Sequence, residues 1–122
     1  MSLGRAPTPV AALLLALLVL IGLGGGAEAQ SAYLAGVYDS AGTNPDGSTY
    51  QGVVVIEHHA GLLSLEWDIN GQVFFGVGKV SRRQLIVNWG QQSPVIYDLD
   101  VGGDVLRGTW ASGQGSEVLT RR

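Results

Sequence analysis

The chain has 122 residues, a formal net charge of −3, 14% charged side chains and no cysteine. This balance excludes a nucleic-acid binder, which needs clustered Lys and Arg to meet phosphates; only Arg82-Arg83 and Arg121-Arg122 pair up. The lack of cysteine excludes disulfides and a lipid-anchored lipoprotein, so stability has to come from an apolar core and a satisfied backbone ladder.

Arg5, the apolar run from Val10 to Leu23, the helix-breaking Gly24-Gly25-Gly26 and the small-residue stretch Ala27-Glu28-Ala29 read in that order as a signal peptide, with the cut expected between Ala29 and Gln30. The apolar run is shorter than the roughly 20 residues that a spanning helix wants. Residues 1–29 are therefore expected to be a signal-peptide helix, and 30–122 one domain exported to periplasm or medium, with no stable membrane span after cleavage. Cleavage removes one base, Arg5, and one acid, Glu28, so the charge stays at −3.

From Ser31 onward, turns marked by glycine, proline or asparagine recur at nearly even spacing between short runs rich in Val, Ile, Leu, Tyr and Trp. That rhythm predicts eight antiparallel strands, at 32–39, 49–58, 62–68, 73–80, 84–89, 94–100, 105–111 and 116–121. Asn44-Pro45-Asp46-Gly47 suits a type I turn with a bulge at Gly47, joining the first strand to the second. For Asp68-Ile69-Asn70-Gly71, a three-residue loop of Ile69, Asn70 and Gly71 sets Trp67 against Val73 and Leu65 against Phe75. A two-residue Asn70-Gly71 turn places Phe75 beside Glu66 instead, and the apolar match favours the longer loop.

Alternation assigns the faces. Val54, Ile56 and His58 are expected to point inward, as are Leu63, Leu65 and Trp67, then Leu85, Val87 and Trp89. Val95, Tyr97 and Leu99 follow, and near the end Leu106, Gly108 and Trp110. The intervening Glu57, Glu66, Asp68, Asp98 and Asp100 mark the wet face. Val53, Val55, Phe74 and Ile86 then lie outside, more apolar surface than a solitary domain needs, and are read as an association patch for a homo-oligomer.

Fourteen glycines follow the leader, about twice ordinary usage. Gly42, Gly47, Gly61, Gly71, Gly90, Gly102, Gly103, Gly113 and Gly115 are assigned to turns. Gly36, Gly52, Gly76, Gly78 and Gly108 fall inside strands, where they permit sharp coiling or leave room for an aromatic ring above the backbone. Short antiparallel connections with such glycines predict an all-β fold, a small up-and-down β-barrel, the alternative being a two-sheet β-sandwich.

The elements Gly36-Val37-Tyr38, the segment from Gly42 to Gly52, Trp89-Gly90, and Gly108-Thr109-Trp110-Ala111 followed by Glu117-Val118-Leu119-Thr120 resemble a group of short exported bacterial proteins often labelled fibronectin-binding. This likeness covers most of the segment after the leader and implies export and a compact β domain. A looser similarity, through Gly108-x-Trp110 and Gly36-x-Tyr38, is to avidin-type and lipocalin-type barrels, in which such elements line a cup.

The aromatic inventory carries the main functional expectation. If the barrel interior is hollow at one end, Tyr38, Trp67, Trp89 and Trp110 are the candidate ligand-binding residues, with Asn88 and Asp39 as polar partners. A core filled by its own side chains is the competing reading. His58 and His59 are adjacent and so on opposite faces, and Glu57 with His59 gives two ligands where zinc wants three or four, so no metal is expected. Glu66 and Asp68 share a strand face, but nothing nearby points to a desolvating pocket for glycosidic chemistry. No serine sits in a nucleophile turn, and Gly76-Val77-Gly78 lies in a strand rather than before a helix. These observations point to a non-enzymatic exported binding module without cofactor, engaging a small apolar ligand, or a protein or glycan, through its mouth or outer face. A surface adhesion protein is the alternative and a hydrolase a remote one.

Overall fold

The computed structural model describes residues 29–122, so the expected leader, but for Ala29, lies outside the described residues. The chain divides into two compact units, Met1–Gln30 and Ser31–Arg122. Of the first, residues 29 and 30 are described and are helical. The second is a closed barrel of eight antiparallel strands in sequential order: β1 (Gly36–Thr43), β2 (Thr49–His59), β3 (Leu62–Ile69), β4 (Gln72–Ser81), β5 (Gln84–Asn88), β6 (Val95–Leu99), β7 (Val105–Trp110) and β8 (Gly115–Arg121). Closure is made by β1 against β8, from Tyr38 opposite Arg121 to Thr43 opposite Ser116. Every strand then has two neighbours and no edge is left to seek a partner, which rules out the sandwich.

The first strand starts four residues later than its sequence suggests, because residues 31–33 are helical and Leu34 turns beneath the barrel. Tyr38 points down at this segment and donates its hydroxyl to the Leu34 carbonyl at 2.7 Å. Arg121 then ties the segment to the barrel, donating to the Ala35 carbonyl at 3.0 Å and also to that of Tyr33, while pairing with Asp104 at 3.1 Å. Its guanidinium lies 4.6 Å from the centre of the Tyr33 ring and 5.0 Å from that of Tyr38, within cation–π range. This end of the barrel is filled: Leu34, Tyr38, Ile56, Leu63 and Leu106 are buried.

The first hairpin forms as its turn residues dictate. The amide of Gly47 donates to the Asn44 carbonyl at 2.9 Å, that of Asn44 to the Ser48 carbonyl at 2.7 Å, and Gly47 takes φ 90°. The β3–β4 hairpin differs from the expected register. Asn70 and Gly71 have φ of 53° and 80° and form a two-residue turn, which pairs Trp67 with Phe74 and Glu66 with Phe75. Both central residues at positive φ is the type I′ geometry whose twist matches that of the strands. Phe74 therefore faces inward and Phe75 is on the outer face, the reverse of the sequence-based assignment.

The physical reason lies on the neighbouring strands. With this register Gly76 and Gly78 face the interior, where a Cβ on Gly76 would stand 2.7 Å from Val87 and 3.0 Å from the Trp67 ring. The apolar match overlooked that the wall opposite a tryptophan must be nearly bare. Gly42 and Gly115, assigned to turns from sequence, are likewise strand residues, lying under the rings of Tyr50 and Trp110.

Outside, Val73, Phe75 and Val77 of β4 are exposed, Phe75 by 66%. Val53 and Val55 are half-buried, Ile86 is exposed, and Phe74 does not belong to this surface.

Two substitutions test this packing by urea denaturation. Gly76→Ala should cost about 1–3 kcal/mol by overpacking against Val87 and Trp67, whereas Gly102→Ala, with open space around it, should be neutral or gain a few tenths of a kcal/mol. Arg121→Ala should lower stability by about 2–4 kcal/mol, because it strips the ring contacts and leaves the Ala35 carbonyl without its donor.

A candidate ligand cup at the barrel mouth

The other end, where the β1–β2, β3–β4, β5–β6 and β7–β8 connections gather, opens into a cavity of about 360 Å³. Alternation puts residues of strand ends into it: Tyr50 at the start of β2, Trp67 and Ile69 on β3, Phe74 on β4, Trp110 at the end of β7 and Glu117 on β8, with Trp89 just past β5.

Four of the rings meet edge to face around the rim. Tyr50 and Trp110 have centroids 6.4 Å apart, Trp110 and Trp89 6.0 Å, and Trp89 and Phe74 6.4 Å, with interplanar angles of 65°, 88° and 69°. These spacings and angles are the favourable ones for aromatic quadrupoles. Trp89 is fixed by its indole N–H, which donates to the Ser93 carbonyl at 3.0 Å. Trp110 lies flat on Gly115, where a Cβ would come within 2.3 Å of the ring.

Below the rim sits one carboxylate. Glu117 is 4% exposed. Its Oε1 accepts the Tyr50 hydroxyl at 2.8 Å, and its Oε2 accepts the Trp67 indole N–H at 3.1 Å together with the Tyr97 hydroxyl. Trp67 Nε1 also lies 3.1 Å from the Tyr97 oxygen. Burial, followed by the charge of Glu117 and its hydrogen bond, pushes the Tyr50 and Tyr97 hydroxyls above the ordinary tyrosine range. The Trp110 indole N–H, buried without a well-formed hydrogen bond, partly offsets the rise at Tyr50. Among the described residues, Glu117 is the one charged residue lining the cup.

Of the residues singled out from sequence, the structure brings Trp67, Trp89 and Trp110 together at the mouth. Tyr38 is inward but belongs to the filled end, because β1 runs from the base upward and places its ring beside Leu34 and Arg121. Asn88 points outward, one residue out of phase with Val87, and accepts the Gly90 amide at 3.0 Å. Asp39 is also on the outer face, paired with Arg122 at 3.0 Å. Tyr50, Phe74 and Glu117 were missed. The signal for Glu117 was present in the parity of β8, since it lies between Gly115 and Leu119 on the inward row. For Phe74 the signal was masked by the register choice.

His59 and Glu57 meet at 3.5 Å on the exposed end of β2, and among the described residues no group of three or more potential metal ligands occurs. Among the described residues, no helix is long and apolar enough to cross a membrane.

The tyrosines give the fold a pH limit. Burial pushes Tyr38 up from 10.0 to about 12, and Tyr50 and Tyr97 are raised for the causes above. A group whose folded pKa is raised contributes stability that is complete below its unfolded value and is lost as pH climbs through the folded one. Stability should therefore hold up to about pH 10 and fall between pH 10 and 12. Apart from exposed Tyr33, tyrosinate absorbance should rise together with the loss of near-ultraviolet circular dichroism, rather than before it.

Compared with known proteins, the sequence matches no family model and no curated protein. Among solved structures it is similar to a redesigned beta barrel, at 18% identity and a TM-score of 0.55, over 76% of this chain and 96% of that one. The likeness concerns the fold alone, and what it shows of this chain is membership of the closed, eight-stranded, all-β barrel architecture.

Proposed function

We propose that this protein is a non-enzymatic binding module that takes a small, mainly apolar ligand into the cup at its open end. The observation that carries this reading is the asymmetry of the barrel interior. One end is filled by Leu34, Tyr38 and their neighbours, while the other stops short and leaves about 360 Å³ walled by Trp67, Trp89, Trp110, Tyr50 and Phe74. A concave, largely apolar site with few polar groups, preformed in the mouth of a barrel, is what small-molecule recognition uses. Its rings are already braced on each other and on glycines, so little side-chain freedom remains to be lost when a ligand enters.

Tryptophan emission is the direct readout, because all three indoles line the cup. Titration with 1-naphthylmethanol should give a saturable change in that emission. Trp89→Ala and Trp110→Ala should each weaken it by roughly tenfold or more, the loss typical of removing a central aromatic anchor, with far-ultraviolet circular dichroism retained. A flat response to this probe and to other apolar rings of similar size would refute the cup.

A further inference from the structure

The strongest feature that an apolar ligand leaves unexplained is the carboxylate beneath the rings. Glu117 is nine-tenths buried and more, yet it lines the cavity rather than the packed core. All three of its partners are neutral donors: Tyr50, Trp67 and Tyr97 each aim an O–H or N–H at it. That is the set an acceptor-only carboxylate collects. Among the described residues no positive side chain answers it. The ion pairs of His59 with Glu57, Arg121 with Asp104 and Arg122 with Asp39 all lie away from the cup, and among the described residues no Lys, Arg or His lines the cavity.

Two details make this carboxylate available to a ligand. A carboxylate has about four acceptor positions. Oε2 receives two donors but Oε1 only Tyr50, so Glu117, which lines the cavity, keeps acceptor capacity for another donor. Above it, the faces and edges of Trp67, Trp89, Trp110 and Tyr50 surround the space, and aromatic faces attract cations most strongly where water is excluded. A buried carboxylate left with neutral partners is costly compared with an apolar or amide residue of the same volume, and a positive ligand offsets that cost.

We infer that the ligand class of this cup is an organic cation: a small aromatic or apolar body carrying a protonated amine, its rings packed among the tryptophans and its ammonium directed at Glu117. This rests on the cup reading above and narrows it. An anionic ligand of the same shape is rejected, since its charge would be buried beside Glu117 with no counter-ion.

The test compares three probes of one shape and different charge, 1-naphthylmethylammonium, 1-naphthylmethanol and 1-naphthylacetate, by tryptophan emission at neutral pH. The ammonium should bind about tenfold or more tighter than the alcohol, as a charge-assisted hydrogen bond in a desolvated site provides, and the acetate should bind weakest. In Glu117→Gln, which keeps size and one acceptor but removes the charge, the ratio of ammonium to alcohol affinity should collapse toward one. Equal affinities for ammonium and alcohol in the unaltered protein would overturn the cation assignment while leaving the cup standing. No response to any of the three would overturn both. Because the ratio is measured first in the unaltered protein, the inference can fail even if the variant does not fold. An undiminished ratio in a folded Glu117→Gln would overturn the role given to Glu117.

Discussion

Everything in this barrel depends on the ladder between its first and last strands. A chain without cysteine has no covalent means of holding its ends together, and β1 against β8 does this by its backbone ladder, with Arg122 on Asp39 and Arg121 on the segment before β1 adding side-chain ties. Closure fixes the interior volume. Once that volume is fixed, each large side chain that enters must be matched by a small one on the wall it meets, and the inward glycines follow from that requirement. Gly76 lies under Trp67, Gly108 under Tyr97, Gly115 under Trp110 and Gly42 under Tyr50. These inward glycines thus record where the rings lie, while the turn glycines such as Gly47 and Gly71 serve positive φ.

The two ends of the cylinder use the same aromatic residue types for opposite purposes. At the base, Tyr38 and Tyr33 are covered by the Arg121 guanidinium, and the segment before β1 is held under the barrel by that same side chain. There the charge is satisfied inside the protein by Asp104 and by carbonyl groups. At the mouth, the rings stand around a space, and the charge among them, Glu117, is surrounded by neutral donors only. A cation met by Asp104 stands under one end, and a carboxylate met by neutral donors stands at the other. The base is packed, and the mouth keeps an open space.

The difference in the β3–β4 hairpin is instructive because both registers satisfy simple alternation. Setting Leu65 against Phe75 maximises apolar pairing between two strands considered alone. In the closed barrel the competing contact is with a third strand: Val87 and Trp67 both need the space that only glycine leaves at position 76. That contact, together with the type I′ geometry of Asn70 and Gly71, decides for the shorter turn and sends Phe75 outside.

The sequence by itself determined the strand number, the all-β class, the Asn44–Gly47 turn and the inward rows of β2, β3, β5, β6 and β7, because period-two alternation and turn residues act over a few positions. It also marked Trp67, Trp89 and Trp110 as a set, since parity alone turns them to one side. That Asn88 and Asp39 face solvent follows from the same parity that turns Val87 and Tyr38 inward. Only the tertiary structure decided that the barrel closes, that Tyr38 belongs to the sealed base, and that Tyr50, Phe74 and Glu117 complete the mouth. Those outcomes depend on which strand ends share a level of the cylinder, and such levels are set by register around the whole ladder, a quantity no local stretch of residues contains.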